Sequence, residues 1–177
     1  MTTQVIVLNG ASSSGKTGIA RCLQAILPQP WIRLGIDDLL NALPPALMGS
    51  DAGVVIGPRG EVSLGDNFRE VEAAWWTGAG AIARAGARII IDDVFLGGAA
   101  SQERMRTHLD GLKVLWVGVR CDPEIATSRE IARGDRVIGM AASQAELVHA
   151  GVVYDLEVDT SHSEALECAR AIAVRVA

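Results

Sequence analysis

Short apolar runs alternate with amphipathic segments along the whole chain. The runs that favour strands cover residues 5–8, 31–36, 89–91, 114–119 and 152–158. Between them, apolar positions recur at helical spacing over residues 17–27, 68–85, 99–109, 123–132, 141–149 and 164–176. This alternation predicts an α/β fold of three layers, in which a parallel sheet of about five strands is covered by helices on both faces.

One segment, residues 43–65, does not follow the alternation. It is rich in proline and glycine, which favours irregular structure. It also carries apolar residues, including Leu47, Met48, Val54 and Val62, which is unusual for a loop exposed to solvent. Long loops in compact domains are usually functional or disordered, so we interpret this segment as an irregular loop that contributes to a binding site.

The residues between the first predicted strand and the first predicted helix fit the pattern G-x-x-x-x-G-K-[ST]. They are Gly10, Ala11, Ser12, Ser13, Ser14, Gly15, Lys16 and Thr17. In this motif backbone N–H groups surround a polyphosphate, the lysine reaches the outer phosphates and the last hydroxyl ligates Mg²⁺. An ordinary Gly/Ser-rich turn is the alternative. The strand before the motif and the helix after it favour binding of a nucleoside triphosphate.

Composition narrows the classes of partner. A chain of 177 residues predicts a single domain, and a formal net charge of −5 argues against nucleic acid. The chain has three cysteines, and they show neither metal-ligand nor C-x-x-C spacing. This pattern is typical of a reduced, cytoplasmic protein. No apolar run reaches the roughly 20 residues of a membrane span. The oligomeric state stays open, with a homo-oligomer among the alternatives.

Two pairs of carboxylates follow predicted strands. Asp37 and Asp38 follow the second strand, and Asp92 and Asp93 follow the third. Ligands of open α/β sheets bind at the carboxyl ends of the strands, so we expect both pairs near the phosphate-binding motif. One pair is expected to serve a metal ion, with Thr17 and Asp92 as ligands and Asp93 as the alternative, and the other to meet the acceptor hydroxyl. Helix capping is the competing interpretation for each single carboxylate.

Three arginines share a helical spacing after the fourth strand. Arg129, Arg133 and Arg136 would lie on one helix face if Gly134 does not end the helix. We expect a lid over about residues 126–140, whose arginines neutralise charge on a transferring phosphoryl group. The alternative is a solvated face paired with acidic neighbours.

Longer motifs resemble the chloramphenicol phosphotransferase family nearly from end to end. The matching segments are residues 10–17, 35–39, 88–98, 116–122, 133–137 and 154–160. The resemblance implies a P-loop NTPase-like fold similar to that of nucleotide, shikimate and adenylylsulfate kinases. It also implies ATP-dependent phosphorylation of the primary 3-hydroxyl of chloramphenicol, which inactivates the antibiotic and confers resistance.

The same resemblance suggests roles for particular residues. It implies that Asp37 is the catalytic aspartate, that residues 10–17 form the phosphate loop and that Arg136 is the lid arginine. Lys16 and Arg136 would then hold the phosphoryl oxygens, and Arg133 would add a nucleotide contact. ATP is expected rather than GTP because no N-K-x-D string, which reads guanine, occurs in the chain.

The charge of the predicted acceptor loop bears on the substrate. Residues 43–65 contain one cationic side chain, Arg59, whereas a buried anionic acceptor would require several. We therefore expect an uncharged, partly aromatic alcohol, with Phe95 and one of Trp75 and Trp76 lining its pocket. The alternatives are a P-loop kinase of another small metabolite or nucleotide-like acceptor, and a regulatory or toxin module without any acceptor.

Overall fold

The computed structural model describes residues 2–134 and 137–176. Its strands are β1 (Val5–Asn9), β2 (Trp31–Gly35), β3 (Val54–Ile56), β4 (Val62–Leu64), β5 (Arg88–Asp93), β6 (Val114–Arg120) and β7 (Leu156–Asp159). Its α-helices are α1 (Lys16–Ile26), α2 (Ile36–Ala42), α3 (Asp66–Arg84), α4 (Ala99–His108), α5 (Pro123–Arg133), α6 (Met140–Gln144) and α7 (Ala165–Ala173). Short 3₁₀ turns occur at Pro45–Leu47 and Leu147–His149. Within the described ranges, no helix has the length and apolar character needed to cross a membrane.

The predicted parallel sheet is confirmed. Five strands pair in the order β2-β5-β1-β6-β7, and every pair is parallel. β1 lies in the centre, with Val5 opposite Ile89 on one side and Val114 on the other. Its residues are fully or almost fully buried, as expected for a strand covered on both faces.

Two separate cores cover the two faces of the sheet. On one face α1 and α7 pack against alternate sheet residues, in a cluster that includes Ile6, Leu8, Leu23, Val117 and Ile172. On the other face α3 and α4 pack against the intervening residues, in a cluster that includes Val7, Ile91, Trp76, Met105 and Trp116. The three-layer α/β architecture predicted from the hydrophobic pattern is therefore present.

The segment predicted to be irregular, residues 43–65, contains a small antiparallel hairpin. Val54 pairs with Leu64 and Ile56 with Val62, so β3 and β4 form a sheet of their own. Val54 is buried in a third apolar cluster with Leu39, Leu43 and Phe68. Strands of three residues are too short to give a clear alternating pattern, and contacts with α2 and α3 stabilise them instead.

Other differences from the predicted boundaries arise at polar contacts. The strand predicted over residues 31–36 ends at Gly35, because the Asp38 carboxylate accepts the Gly35 N–H at 2.6 Å and so begins α2. The helix predicted over 141–149 is divided into α6 and a 3₁₀ turn, where the Val148 carbonyl accepts a hydrogen bond from Asn9 Nδ2 at 2.7 Å. The strand predicted over 152–158 begins only at Leu156.

Candidate functional site

The phosphate-loop motif lies between β1 and α1, as its sequence predicts. Gly15, the last residue before α1, has a left-handed φ of 91°, which favours glycine. A Cβ atom on Gly10 would lie 2.5 Å from the carbonyl oxygen of Val119, so only glycine fits there. Lys16 is buried, and its Nζ donates to the carbonyl oxygens of Gly10 and Ala11 at 2.8 Å each. The loop therefore closes around its own lysine at the carboxyl edge of the sheet.

Buried hydroxyl groups in this loop have unused hydrogen-bonding capacity. Ser13 Oγ and Ser14 Oγ are buried without a hydrogen-bond partner in the described structure. Ser13 also has a φ of 58°, which is uncommon for a residue other than glycine. Unpaired buried polar groups cost free energy, so their presence beside a helix N-terminus fits a site for phosphate oxygens.

A hydroxyl and a carboxylate meet beside the loop. Thr17 Oγ1 donates to Asp92 Oδ2 at 2.7 Å, and Arg33 Nη1 lies 3.8 Å from the same carboxylate oxygen. Asp92 is buried near the end of β5, where it lies opposite Leu8 of β1. Oxygen ligands of this kind suit Mg²⁺, which commonly binds one or two protein side chains and completes its shell with water and phosphate oxygens.

A single cavity of about 460 Å³ joins these groups to the hairpin. Phosphate-loop and α1 residues 12–18 form one side of it. Its apolar lining includes Leu40, Val54, Ile56, Val62, Leu64 and Phe68. Its other polar lining residues are Arg33, Asp37, Glu72, Asp92, Asp93, Arg129, Arg133 and Gln144. The cavity thus has a phosphate-binding half and an apolar half.

Within each predicted carboxylate pair, one member has a local structural contact. Asp38 accepts the Gly35 N–H and pairs with Arg33 Nη2 at 3.0 Å, whereas Asp37 lines the cavity from the first turn of α2. Asp93 Oδ1 accepts the Val94 N–H at 2.7 Å. The competing interpretation of helix capping therefore applies to Asp38, whose carboxylate accepts the N–H at the start of α2.

Asp93 has an unusual protonation equilibrium for a carboxyl group. Burial raises its pKa to about 7, and the negative charge of Glu72 acts in the same direction. Both side chains line the cavity. A substantial fraction of the Asp93 carboxyl is therefore protonated near neutral pH, so it carries less negative charge than an exposed aspartate.

Two of the three arginines predicted to share one helix face, Arg129 and Arg133, lie on α5. Gly134 has a left-handed φ of 66° and ends α5 after Arg133. Arg129 and Arg133 both line the cavity, and Arg129 Nη2 donates to the Thr160 carbonyl at 2.7 Å. Arg136, the lid arginine implied by the family resemblance, lies outside the described residues.

Glu130, which separates two of these arginines, serves the fold. It is only 1% exposed, and its carboxylate accepts the N–H groups of Gly139 and Ala141 at 2.8 and 2.9 Å. These contacts hold the start of α6 against α5. The alternative of a solvated, ion-paired helix face is therefore wrong for this residue.

The aromatic residues and the arginine expected around the acceptor do not line the cavity. Phe95 is 1% exposed and packs against Trp116 in the core, because its N–H donates to Asn9 Oδ1 and fixes the chain there. Neither Trp75 nor Trp76 is among the cavity residues. Arg59 has an 88% exposed side chain that pairs with Glu61. Phe68 is the aromatic residue found there.

Three polar residues of the cavity were not predicted from the sequence: Arg33, Glu72 and Gln144. Glu72 lies one helical turn after Phe68 on α3, so a cavity-facing Phe68 would have indicated it. Arg33 lies on β2, two residues before Gly35. Gln144 belongs to no motif that sequence analysis recognises.

A polar network begins at Asn9, the residue directly before the phosphate loop. Asn9 Nδ2 donates to Tyr154 Oη at 2.6 Å, and Tyr154 Oη lies 2.6 Å from His149 Nδ1. Since Tyr154 accepts from Asn9, its hydroxyl proton is available to donate to an unprotonated His149 nitrogen. Burial lowers the pKa of His149 to about 4, and the nearby charge of Arg120 adds to the effect.

The fold and the phosphate loop are those of the P-loop kinase fold, and solved structures of that fold are similar over nearly the whole chain. An unliganded sugar kinase from Janibacter sp. HTCC2649 has a TM-score of 0.68 at 17% identity, covering 99% of this chain and 96% of that chain. The tunicamycin resistance protein of Deinococcus radiodurans has a TM-score of 0.65 at 17% identity, with coverages of 98% and 95%. The Mycobacterium tuberculosis APS kinase CysC, in complex with AMPPNP and APS, has a TM-score of 0.59 at 14% identity, with coverages of 97% and 95%.

Sequence relatives identify the family. Two Mycobacterium tuberculosis proteins, from strains CDC 1551 and H37Rv, are provisionally named O-phosphotransferases and are each 31% identical to this chain. The similarity extends over 187 residues and covers 94% of this chain and 79% of each relative. The family of chloramphenicol phosphotransferase-like proteins matches residues 3–177 of this chain. The chain therefore belongs to the chloramphenicol phosphotransferase-like family and is a phosphotransferase of the P-loop kinase class.

Proposed function

We propose that this protein transfers the γ-phosphoryl group of ATP to an alcohol of an uncharged small molecule, with the 3-hydroxyl of chloramphenicol as the leading acceptor. The observation that carries the proposal is the single cavity that joins the phosphate loop to an apolar wall, with Asp37 at its edge. Such a cavity has room for a polyphosphate and an apolar acceptor side by side. In-line phosphoryl transfer requires the acceptor hydroxyl to lie next to the γ-phosphate in this way.

The phosphate half of the cavity supplies positive charge and backbone donors. Lys16, Arg129 and Arg133 line the cavity together with the other loop residues from Ser12 to Thr17. We assign nucleotide binding to residues 10–17 with Arg133, and stabilisation of the transferring phosphoryl group to Lys16 and Arg136. Preorganised charge of this kind stabilises the transition state, in which negative charge is spread over the phosphoryl oxygens.

The contact between Thr17 and Asp92 supports a metal site at the same place. We assign both residues to Mg²⁺, held directly or through water. When bound there, Mg²⁺ would neutralise charge on the outer phosphate oxygens of the nucleotide. Asp92 Oδ2 also lies 3.8 Å from Nη1 of Arg33.

Asp37 is assigned the role of general base. It lies in the first turn of α2, and it lines the cavity while its neighbour Asp38 caps that helix. A carboxylate there would accept a hydrogen bond from the acceptor hydroxyl, orient its oxygen towards the γ-phosphate and take the proton as the new P–O bond forms.

An uncharged acceptor fits the apolar half of the cavity. The hairpin and the helices beside it supply Leu40, Val54, Ile56, Val62, Leu64 and Phe68. Among the described cavity residues, Arg33 is already paired with Asp38, and Glu72 and Asp93 are acidic. An anionic acceptor would lose its hydration here without gaining enough cationic partners. We therefore assign residues 43–65 to acceptor binding and residues 126–140 to a lid over the nucleotide.

The proposal is tested by mass spectrometry of chloramphenicol incubated with the protein, ATP and Mg²⁺. We expect a product heavier by one phosphoryl group, and no product from an analogue that lacks the 3-hydroxyl. Lys16→Ala is the matched inactive control, because loss of one preorganised charge lowers kcat by roughly 10²–10³-fold.

A panel of other acceptors distinguishes this function from its alternative. Release of ADP is measured with hydroxylated antibiotics, small metabolic alcohols and nucleoside monophosphates. Phosphorylation of a nucleoside monophosphate, with no reaction of chloramphenicol or any other uncharged alcohol, would show that the acceptor assignment is wrong and that the protein is a nucleotide-type kinase.

A further inference from the structure

Gln144 is a buried polar side chain in the cavity that no assignment above uses. It is the last residue of α6 and is 3% exposed. Its Oε1 accepts the backbone N–H of Ser12, in the phosphate loop, at 2.8 Å. Because that N–H is a donor, it must face the amide oxygen, and this determines which end of the amide is Nε2.

The amide nitrogen of Gln144 has no hydrogen-bond partner among the described residues. The side chain nevertheless lines the cavity. Among the described residues, the fully buried polar atoms without a partner are Ser13 Oγ, Ser14 Oγ and Trp75 Nε1, so Gln144 Nε2 keeps contact with the open cavity. The Nε2 group is therefore able to donate a hydrogen bond to a molecule that occupies the cavity.

The position of α6 indicates which part of that molecule Gln144 meets. Ser143 Oγ donates to the Gly60 carbonyl, in the turn of the β3–β4 hairpin, at 3.2 Å. Met140, one turn before Gln144, also lines the cavity. α6 thus contacts the acceptor hairpin on one side and the phosphate loop on the other. The group transferred by a kinase lies between its acceptor and its phosphate loop.

We propose that Gln144 Nε2 donates a hydrogen bond to the terminal phosphate of the bound nucleotide, while its Oε1 holds the phosphate loop through Ser12. The proposal rests on the proposed function, since it requires a nucleoside triphosphate in this cavity. Gln144 then contributes to the transition state as a neutral donor, in addition to the charge that lysine and arginine supply.

Two variants separate the roles of the two ends of the amide. Gln144→Glu keeps the length and an oxygen for Ser12 N–H, but it loses the donor and places a negative charge near the phosphate. Gln144→Met keeps the approximate length and loses both hydrogen bonds. Calorimetric titration with ADP and with a non-hydrolysable ATP analogue, each with Mg²⁺, measures the preference for the terminal phosphate without requiring turnover.

For Gln144→Glu we expect the analogue to bind about 10- to 100-fold more weakly, because a hydrogen bond to a charged group is lost and a repulsion is added. ADP affinity should stay within about threefold of the wild type, since Ser12 keeps its acceptor. For Gln144→Met we expect the preference for the analogue over ADP to fall by about fivefold or more. The Met result stands on its own if thermal melting shows that the Glu variant does not fold.

Gln102→Glu is the matched control. Gln102 is 4% exposed, and both ends of its amide are paired with the backbone of Val153, at 2.7 and 3.0 Å. It lies on α4 and is not a cavity residue. The substitution should lower the melting temperature and leave the ratio of analogue to ADP affinity unchanged.

The result that would contradict the role of Gln144 differs from the result that would contradict the proposed function. If the wild type binds both nucleotides and the Gln144 variants keep the wild-type ratio, Gln144 only supports the loop and this inference is wrong, while the proposed function stands. If the wild type itself binds neither nucleotide, the proposed function fails, and this inference fails with it.

Discussion

Asp37 and Asp38 are adjacent in the sequence, yet their carboxylates face different surroundings. Asp38 accepts the Gly35 N–H and pairs with Arg33, and both contacts lie within its own segment. Asp37 lines the cavity. The two residues share the first turn of one helix. The same substitution at each position therefore compares the loss of a carboxylate that lines the cavity with the loss of one that begins the helix.

At Asp37, substitution by asparagine keeps the size of the side chain and removes its basicity. We expect Asp37→Asn to lower acceptor phosphorylation by roughly 10²–10⁴-fold, the range typical of a lost general base. ATP affinity should change little, because this carboxylate is assigned to the acceptor. Steady-state kinetics with separate variation of ATP and acceptor measures both effects.

Asp38→Asn is the control for that experiment. Loss of its ion pair with Arg33 should lower the free energy of unfolding by about 1 kcal/mol, with a fall in turnover of less than about tenfold. A result in which Asp37→Asn binds ATP–Mg²⁺ poorly but turns over normally at saturation would reassign Asp37 to the metal.

Among single residues, those that belong to local sequence motifs could be predicted to lie in the site. Gly10–Thr17 are consecutive, and the geometry of that loop depends mostly on its own glycines. Asp92 follows from its place at the end of an apolar strand. Arg33, Glu72 and Gln144 could not be predicted in the same way, because each enters the cavity only through the packing of a separate element.

Among the elements, the β3–β4 hairpin and α6 are in direct backbone contact. A Cβ atom on Gly60 would collide with the backbone of Gly139 and Met140, and one on Gly139 would lie 2.6 Å from the Arg59 carbonyl oxygen. The hairpin turn therefore packs against the start of α6 as closely as two backbones allow. The two elements also share the cavity, so the position of one constrains the other.

This contact is tested with a pair of glycines. Gly60 has a φ of 80° and Gly49 a φ of 78°, but nothing lies within 4 Å of a Cβ atom on Gly49. Gly49→Ala should therefore cost only the backbone strain, about 1–3 kcal/mol. We expect Gly60→Ala to lower the free energy of unfolding further and to raise the KM for the acceptor, as measured by urea denaturation and steady-state kinetics. Equal effects of the two substitutions would show that the contact does not matter.

The elements that the sequence predicted well are those that are long or uniformly buried. β1 and β5 appear as apolar runs because both faces of the sheet are covered. The β3–β4 hairpin was missed because each of its strands has three residues, fewer than the pattern requires. The helix predicted over 141–149 is divided, and the Val148 backbone carbonyl accepts its hydrogen bond from the Asn9 side chain, which is distant in sequence.

For the molecule as a whole, the network of Asn9, Tyr154 and His149 connects stability to pH. Asn9 is in β1, His149 is in a 3₁₀ turn and Tyr154 precedes β7. The folded pKa of His149, about 4, is lower than its ordinary value of 6.5. The unfolded chain therefore binds more protons than the folded chain between these values, and the contribution of His149 to stability is lost as the pH falls from about 6.5 towards 4.

Replacement of the His149 imidazole should remove its contribution to the pH dependence of stability. We expect His149→Gln to lose less unfolding free energy than the wild type between pH 7.5 and pH 5, as measured by urea denaturation at each pH. His162, which is exposed, provides the control, and His162→Gln should follow the wild-type pH profile. Parallel profiles for all three proteins would contradict the assignment of a neutral, buried His149.

The central place of β1 in the sheet also has a kinetic consequence. Strand β1 is paired on both sides and buried, so we expect the amides of Val5–Asn9 to exchange with solvent deuterium only when the whole domain unfolds. The hairpin amides of residues 54–56 and 62–64 belong to a separate two-stranded sheet, and we expect them to exchange through local opening. We therefore expect the strand next to the phosphate half of the cavity to exchange most slowly and the hairpin next to the apolar half to exchange faster, so that the apolar wall can open locally while the central sheet stays folded.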